Sequence, residues 1–253
     1  MSEAEQLHPL VAGLADAGSY DRGRPRYGEQ VVRELVAELS LAPAAPVLEL
    51  GAGTGQLSRA LLDGGLDVLA VEPLESMRAV LAGAIGAERV RAGSAERIPL
   101  PDASVAAVFA ADSFHWFDER RALPEIRRVL QAGGGVAILR TLPVLDTPWG
   151  HELGQMLAAE RPEHPAFGER GAAAALEEDP GFGPVRERVL EGAHMTDRDG
   201  LLAYVATLSW IGALPEPRRA EVLARAAALL DAHDVADVRF PVRHELWTAR
   251  LTR

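Results

Sequence analysis

The chain has 253 residues, 48% of them hydrophobic and 25% charged, with a formal net charge of −11 at pH 7. These totals are typical of a soluble protein with one large domain or slightly more. The negative charge argues against a nucleic-acid backbone as the main partner, because that affinity comes from clustered Lys and Arg. No apolar run approaches the ~18 residues of a membrane span, and the N-terminal MSEAEQLHPL lacks a signal-peptide core. We therefore expect a cytoplasmic protein that binds neither nucleic acid nor membrane.

Two residue types are missing from the chain. It contains no Cys, and all 26 of its basic residues are Arg. The lack of Cys excludes disulfides and thiolate nucleophiles, and the lack of Lys excludes Schiff-base enzymes and the P-loop lysine. His115 is considered below as a candidate base. The other histidines show no metal-ligand spacing such as H-x-x-x-H. We expect no metal site.

The first part of the chain alternates between apolar runs and helical patterns. A polar and basic segment, Tyr20–Tyr27, is predicted to be irregular, and the apolar spacing after it predicts a helix over Gly28–Ser40. The predicted strands are Val47–Leu50, Asp67–Val71, Arg89–Ala92, Val105–Ala110 and Gly135–Arg140. The predicted helices are Gln56–Gly64, Leu74–Ala84 and Arg120–Leu130. This alternation predicts βαβ units and a parallel sheet that is covered on both faces.

The pattern changes after Thr141. Further helices are predicted over Trp149–Arg161, Gly200–Ile211 and Glu216–Asp231, the second opened by a capping box at Thr196–Asp199. Further strands are predicted at Val185–Leu190 and Val238–Leu246. We therefore divide the chain into a sheet core with an N-terminal lid segment (1–145), a helical insertion with one strand near 185–190 (146–235), and a final core strand (236–253).

A glycine-rich turn follows the first predicted strand. It reads Glu49-Leu-Gly51-Ala-Gly53-Thr-Gly55, and glycine suits backbone that adopts positive φ or lies close to a ligand. A second acid, Glu72, ends the next strand. Adjacent parallel strands bring Glu72 alongside the turn, where a carboxylate can hold both hydroxyls of a ribose.

Two ligands compete for this turn. The dinucleotide fingerprint G-x-G-x-x-G, read from Gly51, requires a third glycine where Gln56 stands, and read from Gly53 it requires one where Ser58 stands. A carboxylate at Glu49 would repel a pyrophosphate and attract a sulfonium or an ammonium. S-adenosylmethionine (SAM) carries ribose, ammonium and sulfonium together, so the turn favours SAM. The alternative is a tight turn that binds nothing.

From about Tyr20 to Thr141 the sequence resembles the class I SAM-dependent methyltransferases. The segments that carry the resemblance, in family order, are Val47–Gly55, Glu72, Gly93–Glu96 with Ile98–Leu100, and Leu130–Gly135. The resemblance implies an α/β, Rossmann-like sheet of seven strands that is mostly parallel, with an antiparallel last strand, and a helical insertion that forms a lid. Two positions depart from the family pattern, since Ser94 replaces the adenine-contacting acid and Ala106 lies where the fourth strand usually carries an acid.

A narrower resemblance concerns the type of acceptor. Ser113–Asp118, S-F-H-W-F-D, and the Tyr20–Tyr27 pattern are similar to the type 11, trans-aconitate methyltransferase-like branch. We therefore expect methyl transfer to a small organic molecule, with O-methylation of a carboxylate or hydroxyl favoured, by a monomer or homodimer. Because Ser94 and Ala106 stand where the family has acids, weaker contacts to the cofactor are expected there. A non-catalytic SAM-binding or regulatory module is therefore an alternative. A nucleotide-dependent oxidoreductase is a third alternative.

Position in the chain and the family pattern nominate the site residues. His115 is the candidate general base, because its free pKa lies near neutrality, although it could simply pack on the sheet end. Arg26, with Arg22 and Arg24, could meet a carboxylate of cofactor or substrate. The residues expected to bind the cofactor are Tyr20, Arg26, Glu49, Gly51, Ala52, Gly53, Gly55, Gln56, Glu72, Pro73, Met77, Ser94, Ala95, Glu96, Asp112, Ser113 and His115. The residues expected to shape a substrate roof are Trp149, Phe167, Phe182, Tyr204 and Trp210.

Overall fold

A computed structural model describes residues 10–11, 16–161 and 171–252. The strands are β1 (Pro46–Leu50), β2 (Asp67–Glu72), β3 (Val90–Ala92), β4 (Val105–Ala111), β5 (Leu130–Pro143), β6 (Arg186–Asp197) and β7 (Asp237–Arg250). The helices are α1 (Ala17–Gly23), α2 (Glu29–Glu38), α3 (Gln56–Asp63), α4 (Glu75–Ile85), α5 (Glu119–Val129), α6 (Pro148–Ala159), α7 (Ala172–Glu178), α8 (Arg198–Ala206), α9 (Ser209–Gly212) and α10 (Glu216–Ala232). Within these described helices, none is long and apolar enough to cross a membrane.

The strands form one seven-stranded sheet with the order β3-β2-β1-β4-β5-β7-β6. Strands β1 to β5 pair in parallel, and the last strands are antiparallel. The predicted fold class is therefore confirmed. Because β1 lies between β2 and β4, the carboxyl ends of these three strands meet at one edge of the sheet. That edge is where ligands bind in open α/β sheets.

The described residues divide into two compact units. A core unit contains residues 26–141, 171–190 and 244–252, and a helical unit contains residues 10–11, 16–25, 142–161 and 191–243. The lid and roof roles proposed for parts of these segments stay predictions.

Both faces of the sheet in the core unit are buried. Consecutive residues of β1 belong to different apolar clusters: Val47 packs with Leu35 of α2 on one face, and Leu48 packs with Ile126 of α5 on the other. Side chains alternate between the two faces of a strand, so a strand covered on both sides reads as a continuous apolar run. This explains why the predicted parallel strands were recognisable.

Phe182, expected in a substrate roof, lies instead in the core unit. It is 6% exposed, belongs to the apolar cluster that contains Leu48, and pairs with Leu251 in an isolated antiparallel bridge. Its side chain is therefore occupied by packing of the sheet face. Phe167, another expected roof residue, lies outside the described residues.

The helical unit has an apolar core of its own. Tyr204 of α8 and Phe240 of β7 meet edge to face, with ring centroids 5.6 Å apart, and Trp149 of α6 lies against Phe240. The Arg24 guanidinium lies over the rings of Tyr20 and Tyr204 and donates a hydrogen bond to the carbonyl of Thr207, the residue that follows α8. These contacts hold α1 on α8.

Two local predictions in the helical unit were wrong. The segment Tyr20–Tyr27 is helical in its first half, because α1 is capped by Asp16, whose side chain accepts a hydrogen bond from the Ser19 amide. The capping residue of α8 is Asp197, one position after the predicted Thr196, and it accepts from the Gly200 amide at 2.8 Å. The helix then stops at Ala206, since buried Leu208 takes up an extended backbone before α9.

Candidate functional site

The glycine turn after β1 has a left-handed backbone at three positions. The φ angles are +63° at Gly51, +56° at Gly53 and +92° at Gly55, a region that glycine enters without strain. The amides of Gly51 and Ala52 both donate to the carbonyl of Val71, at 2.9 Å and 3.2 Å. The turn is therefore fastened to β2 as it leaves β1.

Glu72 closes this turn from the neighbouring strand. One carboxylate oxygen accepts a hydrogen bond from the Gly53 amide and the other from the Leu74 amide, each at 2.9 Å. Only 5% of Glu72 is exposed. Burial raises the pKa of Glu72, and the two backbone amides and the Arg78 guanidinium act in the opposite direction. As expected from the sequence, the parallel pairing of β1 and β2 places Glu72 beside the turn.

Glu49 lies on the inner side of the turn. It is 2% exposed, and its carboxyl group accepts a hydrogen bond from the Ser58 hydroxyl of α3. Burial raises the pKa of Glu49 to about 8, against the lowering effect of Ser58. Burial therefore favours the protonated form of Glu49, which attracts a cation less than the charged acid expected from the sequence.

The segment after β4 touches the turn directly. The Ser113 hydroxyl donates to the carbonyl of Leu50 at 2.9 Å. A Cβ placed on Gly51 would lie 2.7 Å from the Ser113 Cβ, which real Cβ atoms do not tolerate. The first glycine of the turn is therefore required by the close approach of Ser113 as well as by its own backbone.

Of the residues that follow Ser113, one is buried in the apolar core and the next two are partly exposed. Phe114 is buried and meets Phe117 edge to face at 5.6 Å. His115 and Trp116 lie at intermediate exposure, with ring centroids 4.6 Å apart. The candidate base is thus two residues from a side chain that touches the turn.

Helix α5 holds the segment 93–100 in place. This segment contains Gly93–Glu96 and Ile98–Leu100, which resemble the part of the family pattern that lines the adenine. The amide of Ile98 donates to Glu125, and the Arg128 guanidinium donates to the carbonyl of Ile98, both at 2.9 Å. Glu96 accepts a hydrogen bond from the amide of Asp118, the residue that caps α5, at 2.9 Å. These contacts hold the segment at the carboxyl edge beside β3.

Comparison with known proteins assigns the family. A family model described as a methyltransferase domain matches residues 48–138. An uncharacterized methyltransferase of Mycobacterium tuberculosis is 35% identical over 216 residues, which cover 85% of this chain and 84% of that protein. The chain belongs to the class I SAM-dependent methyltransferases.

Two further relatives bear on the methyltransferase. The malonyl-[acyl-carrier protein] O-methyltransferase of Pectobacterium atrosepticum is 27% identical over 242 residues, covering 91% of this chain and 90% of that protein. A solved structure from Anaeromyxobacter dehalogenans, described as a type II methyltransferase, is 28% identical with a TM-score of 0.65. It covers 91% of this chain and 97% of its own. The shared fold agrees with the α/β sheet described above.

The structure brings together those nominated residues of the methyltransferase that border the turn, the end of β2 and the end of β4. They are Glu49, Gly51, Ala52, Gly53, Gly55, Gln56, Glu72, Pro73, Asp112 and Ser113. Met77 and Ala95 are buried, 2% and 3% exposed. Arg26 is exposed, and Tyr20 belongs to the helical unit. Cofactor contact by every one of these residues stays a prediction.

Three polar residues near the site were missed by the sequence interpretation of the methyltransferase. Tyr27, Thr141 and His244 form hydrogen bonds with one another and with Asp112. They are separated by more than a hundred residues in the chain, and only Tyr27, which ends the Tyr20–Tyr27 segment, lies in a pattern that the sequence singles out. His244 in particular has no metal-ligand spacing to another histidine. Among the described residues, no cluster of acidic and His side chains is arranged to hold a metal ion.

The raised pKa of Glu49 predicts a pH-dependent stability of the methyltransferase. Between the ordinary value of 4.5 and the folded value of about 8, the folded protein holds a proton at Glu49 that the unfolded chain releases. The contribution of Glu49 to the free energy of unfolding therefore falls as pH rises through this window, by up to about 1.4 kcal/mol per pH unit. Replacing Glu49 with Gln should remove that slope, because an amide does not titrate.

Urea denaturation of the wild type and Glu49→Gln across this pH window measures the effect. The difference in unfolding free energy between the two proteins should shift steadily in favour of Glu49→Gln as pH rises. Glu75→Gln, an exposed change in the first turn of α4, is the control and should show no such trend. Parallel pH curves for wild type and Glu49→Gln would contradict the assigned protonation.

Proposed function

We propose that this methyltransferase transfers the methyl group of SAM to a small organic acceptor, with a carboxylate or hydroxyl oxygen as the favoured target. The observation that carries the proposal is the carboxylate of Glu72, held by the Gly53 and Leu74 amides at the carboxyl edge of the sheet. No Lys or Cys is present in the chain to form a covalent intermediate. Methyl transfer needs none, because the sulfonium is already a strong electrophile.

The residues at the edge fit SAM. An ionised carboxylate has about four acceptor positions, and the backbone amides of Gly53 and Leu74 take one position on each oxygen. One position on each oxygen is left for the two hydroxyls of a ribose. The left-handed glycines expose backbone instead of side chains at the same place. We therefore assign the ribose to Glu72 and the amino-acid portion to the neighbourhood of the turn and Ser113.

The chain's own contribution to the reaction is positioning. SAM, when bound, supplies the activated methyl group. The protein aligns the acceptor oxygen with that methyl and excludes water, and alignment of this kind is worth ~7–11 kcal/mol in intramolecular models. The segment Ser113–Asp118 follows β4 at the edge where the methyl would lie, so we propose that it lines the acceptor position. The insertion 146–235 and the N-terminal segment remain our proposal for the roof and lid.

The relationship to a malonyl-[acyl-carrier protein] O-methyltransferase favours an oxygen acceptor. A carboxylate is a nucleophile without deprotonation and needs an Arg to hold it. A hydroxyl needs a base, which we assign to His115. We further propose that the protein acts in the cytoplasm, as a monomer or homodimer, on a small molecule and not on nucleic acid.

Replacing His115 with Asn separates these two acceptor classes. If the acceptor is a hydroxyl, loss of the imidazole should lower kcat by roughly 10²–10⁴-fold, the range of general-base catalysis. If the acceptor is a carboxylate, kcat should change little. Steady-state kinetics as a function of pH measure the effect, and the wild-type profile should show an ionisation that the variant lacks only in the hydroxyl case. Glu75→Gln, an exposed change outside this segment, is the control and should keep the wild-type kcat.

The proposed function is tested by calorimetric titration with SAM and S-adenosylhomocysteine, followed by methyl-label transfer to a panel of carboxylic acids, phenols and alcohols. We expect binding of both nucleosides and label in at least one oxygen acceptor. Binding without transfer to any acceptor would favour the non-catalytic SAM-binding module. Quenching of NADH fluorescence, with no SAM binding, would favour the oxidoreductase.

A further inference from the structure

Four polar side chains are joined inside the core unit, next to the edge of the sheet. Tyr27 precedes α2, Asp112 directly follows β4, Thr141 lies in β5 and His244 lies in β7. Tyr27 is 9% and His244 3% exposed, and their rings lie 5.4 Å apart. None of these groups takes part in the chemistry proposed above except Asp112, which was nominated as a cofactor contact.

The hydrogen bonds connect the four residues in a line. The Tyr27 hydroxyl donates to one oxygen of Asp112 at 3.1 Å, and the Thr141 amide donates to the other oxygen at 2.8 Å. The Thr141 hydroxyl donates to the Tyr27 hydroxyl at 3.2 Å. The same Thr141 hydroxyl lies 3.0 Å from Nδ1 of His244.

When each of these contacts is a hydrogen bond, counting the hydrogens sets the direction of the line. A carboxylate only accepts, so the single hydrogen of the Tyr27 hydroxyl points to Asp112. Tyr27 must then accept the single hydrogen of the Thr141 hydroxyl. That hydroxyl has none left for His244, so Nδ1 of His244 must be the donor to it. Neutral imidazole carries one hydrogen on one of its two nitrogens.

We propose that Tyr27, Thr141 and His244 are positioning residues, which form a one-directional hydrogen-bond chain, His244 Nδ1–H to Thr141 to Tyr27 to Asp112, that fixes Asp112 at the methyl-donor site. The chain requires a hydrogen on Nδ1 of His244, which in the neutral ring is the Nδ1–H tautomer. Burial lowers the pKa of His244, which keeps the ring neutral. Burial also raises the pKa of Tyr27, ahead of the effect of Asp112, which keeps the phenol protonated and able to donate.

The reason for fixing Asp112 lies in its backbone. Its φ is +51°, a left-handed conformation that costs a non-glycine residue energy unless its surroundings hold it. The bonds from Tyr27 and the Thr141 amide hold the side chain on both oxygens, and the Asp112 amide donates to Leu139 at 2.9 Å. The next residue is Ser113, which touches Gly51 and bonds to Leu50. The hydrogen-bond chain thereby holds the segment after β4 against the glycine turn. Its role in binding the methyl donor rests on the proposed function.

The tautomer of His244 tests the proposed hydrogen-bond chain without any ligand. Long-range nitrogen–proton NMR on protein with ¹⁵N-labelled histidine should show Nδ1 protonated and Nε2 unprotonated at His244, with His244→Asn providing the assignment. In Tyr27→Phe the Thr141 hydrogen is released and can be donated to Nδ1, so the Nε2–H tautomer should become populated. Thr141→Ser keeps the hydroxyl and should keep the wild-type tautomer. An Nε2–H tautomer in the wild type, or no change in Tyr27→Phe, would overturn the chain.

Affinity for S-adenosylhomocysteine tests the positioning role. Tyr27→Phe should bind about tenfold more weakly, the effect of one lost hydrogen bond to a charged group, whereas Thr141→Ser should bind like the wild type. Thermal melts and circular dichroism check that both variants fold. Wild-type affinity in Tyr27→Phe would overturn the positioning role. If the wild type itself binds no S-adenosylhomocysteine, the proposed function fails together with that role, while the tautomer result still supports or refutes the chain.

Discussion

Replacing Glu72 with Gln should weaken binding of S-adenosylhomocysteine by at least about 100-fold, since the two hydrogen bonds expected from a ribose to this carboxylate are each worth roughly 1.5–3 kcal/mol. The amide has one acceptor oxygen where the carboxylate has two. Its NH₂ group must therefore face the amide hydrogen of either Gly53 or Leu74, both of which now donate to Glu72. Two donors face each other, and the turn loses one of its fastenings.

Isothermal titration calorimetry of folded protein measures this loss. The control is Glu75→Gln, three residues later on an exposed surface, which makes the same chemical change and should leave the affinity unaltered. An affinity in Glu72→Gln equal to the wild type would show that the ribose does not bind at this carboxylate. The assignment of SAM to the carboxyl edge would then be wrong.

Replacing Gly51 with Ala should both destabilise the protein and impair donor binding. An L residue at a φ of +63° carries a left-handed cost of about 1–2 kcal/mol. The new methyl group would also lie 2.7 Å from the Ser113 Cβ, and overpacking of this kind typically costs about 1–3 kcal/mol more. Because Ser113 is held to Leu50, relief of the overlap must displace either the turn or the segment after β4.

Comparison with Gly65→Ala separates the overlap with Ser113 from the backbone cost. Gly65 has a φ of +81° but nothing within 4 Å of its would-be Cβ, so Ala there carries the backbone cost alone. The melting temperature of Gly51→Ala should therefore lie below that of Gly65→Ala, by about 2–4 °C for each kcal/mol of difference. Titration with S-adenosylhomocysteine should show a weaker affinity in Gly51→Ala and an unchanged one in Gly65→Ala. Equal melting temperatures and equal affinities in the two variants would contradict the close approach.

Much of the parallel part of the fold could be read from local patterns. Strand β1 is apolar at every position except Glu49, because both of its faces are covered, and α5 follows an apolar spacing of 3.6 residues. Boundaries were less accurate where a strand continues through glycine. Strand β5 begins at Leu130 and not at the predicted Gly135, since pairing with β4 carries the strand through the glycines. Helix α7, rich in Ala and flanked by prolines and glycines, was not predicted at all.

The sequence by itself determined the turn, the acid at the end of β2 and their meeting at the edge of the sheet, because these depend on short spacings and on the parallel pairing of neighbouring strands. Only the tertiary structure decided the state of Glu49, which looked like a charged acid beside a ligand and is a buried group whose pKa is raised to about 8. It also decided the partners of Asp112, which come from Tyr27 and Thr141. Burial and contacts between distant segments set the protonation and orientation of a side chain, and neither is encoded in its neighbours along the chain.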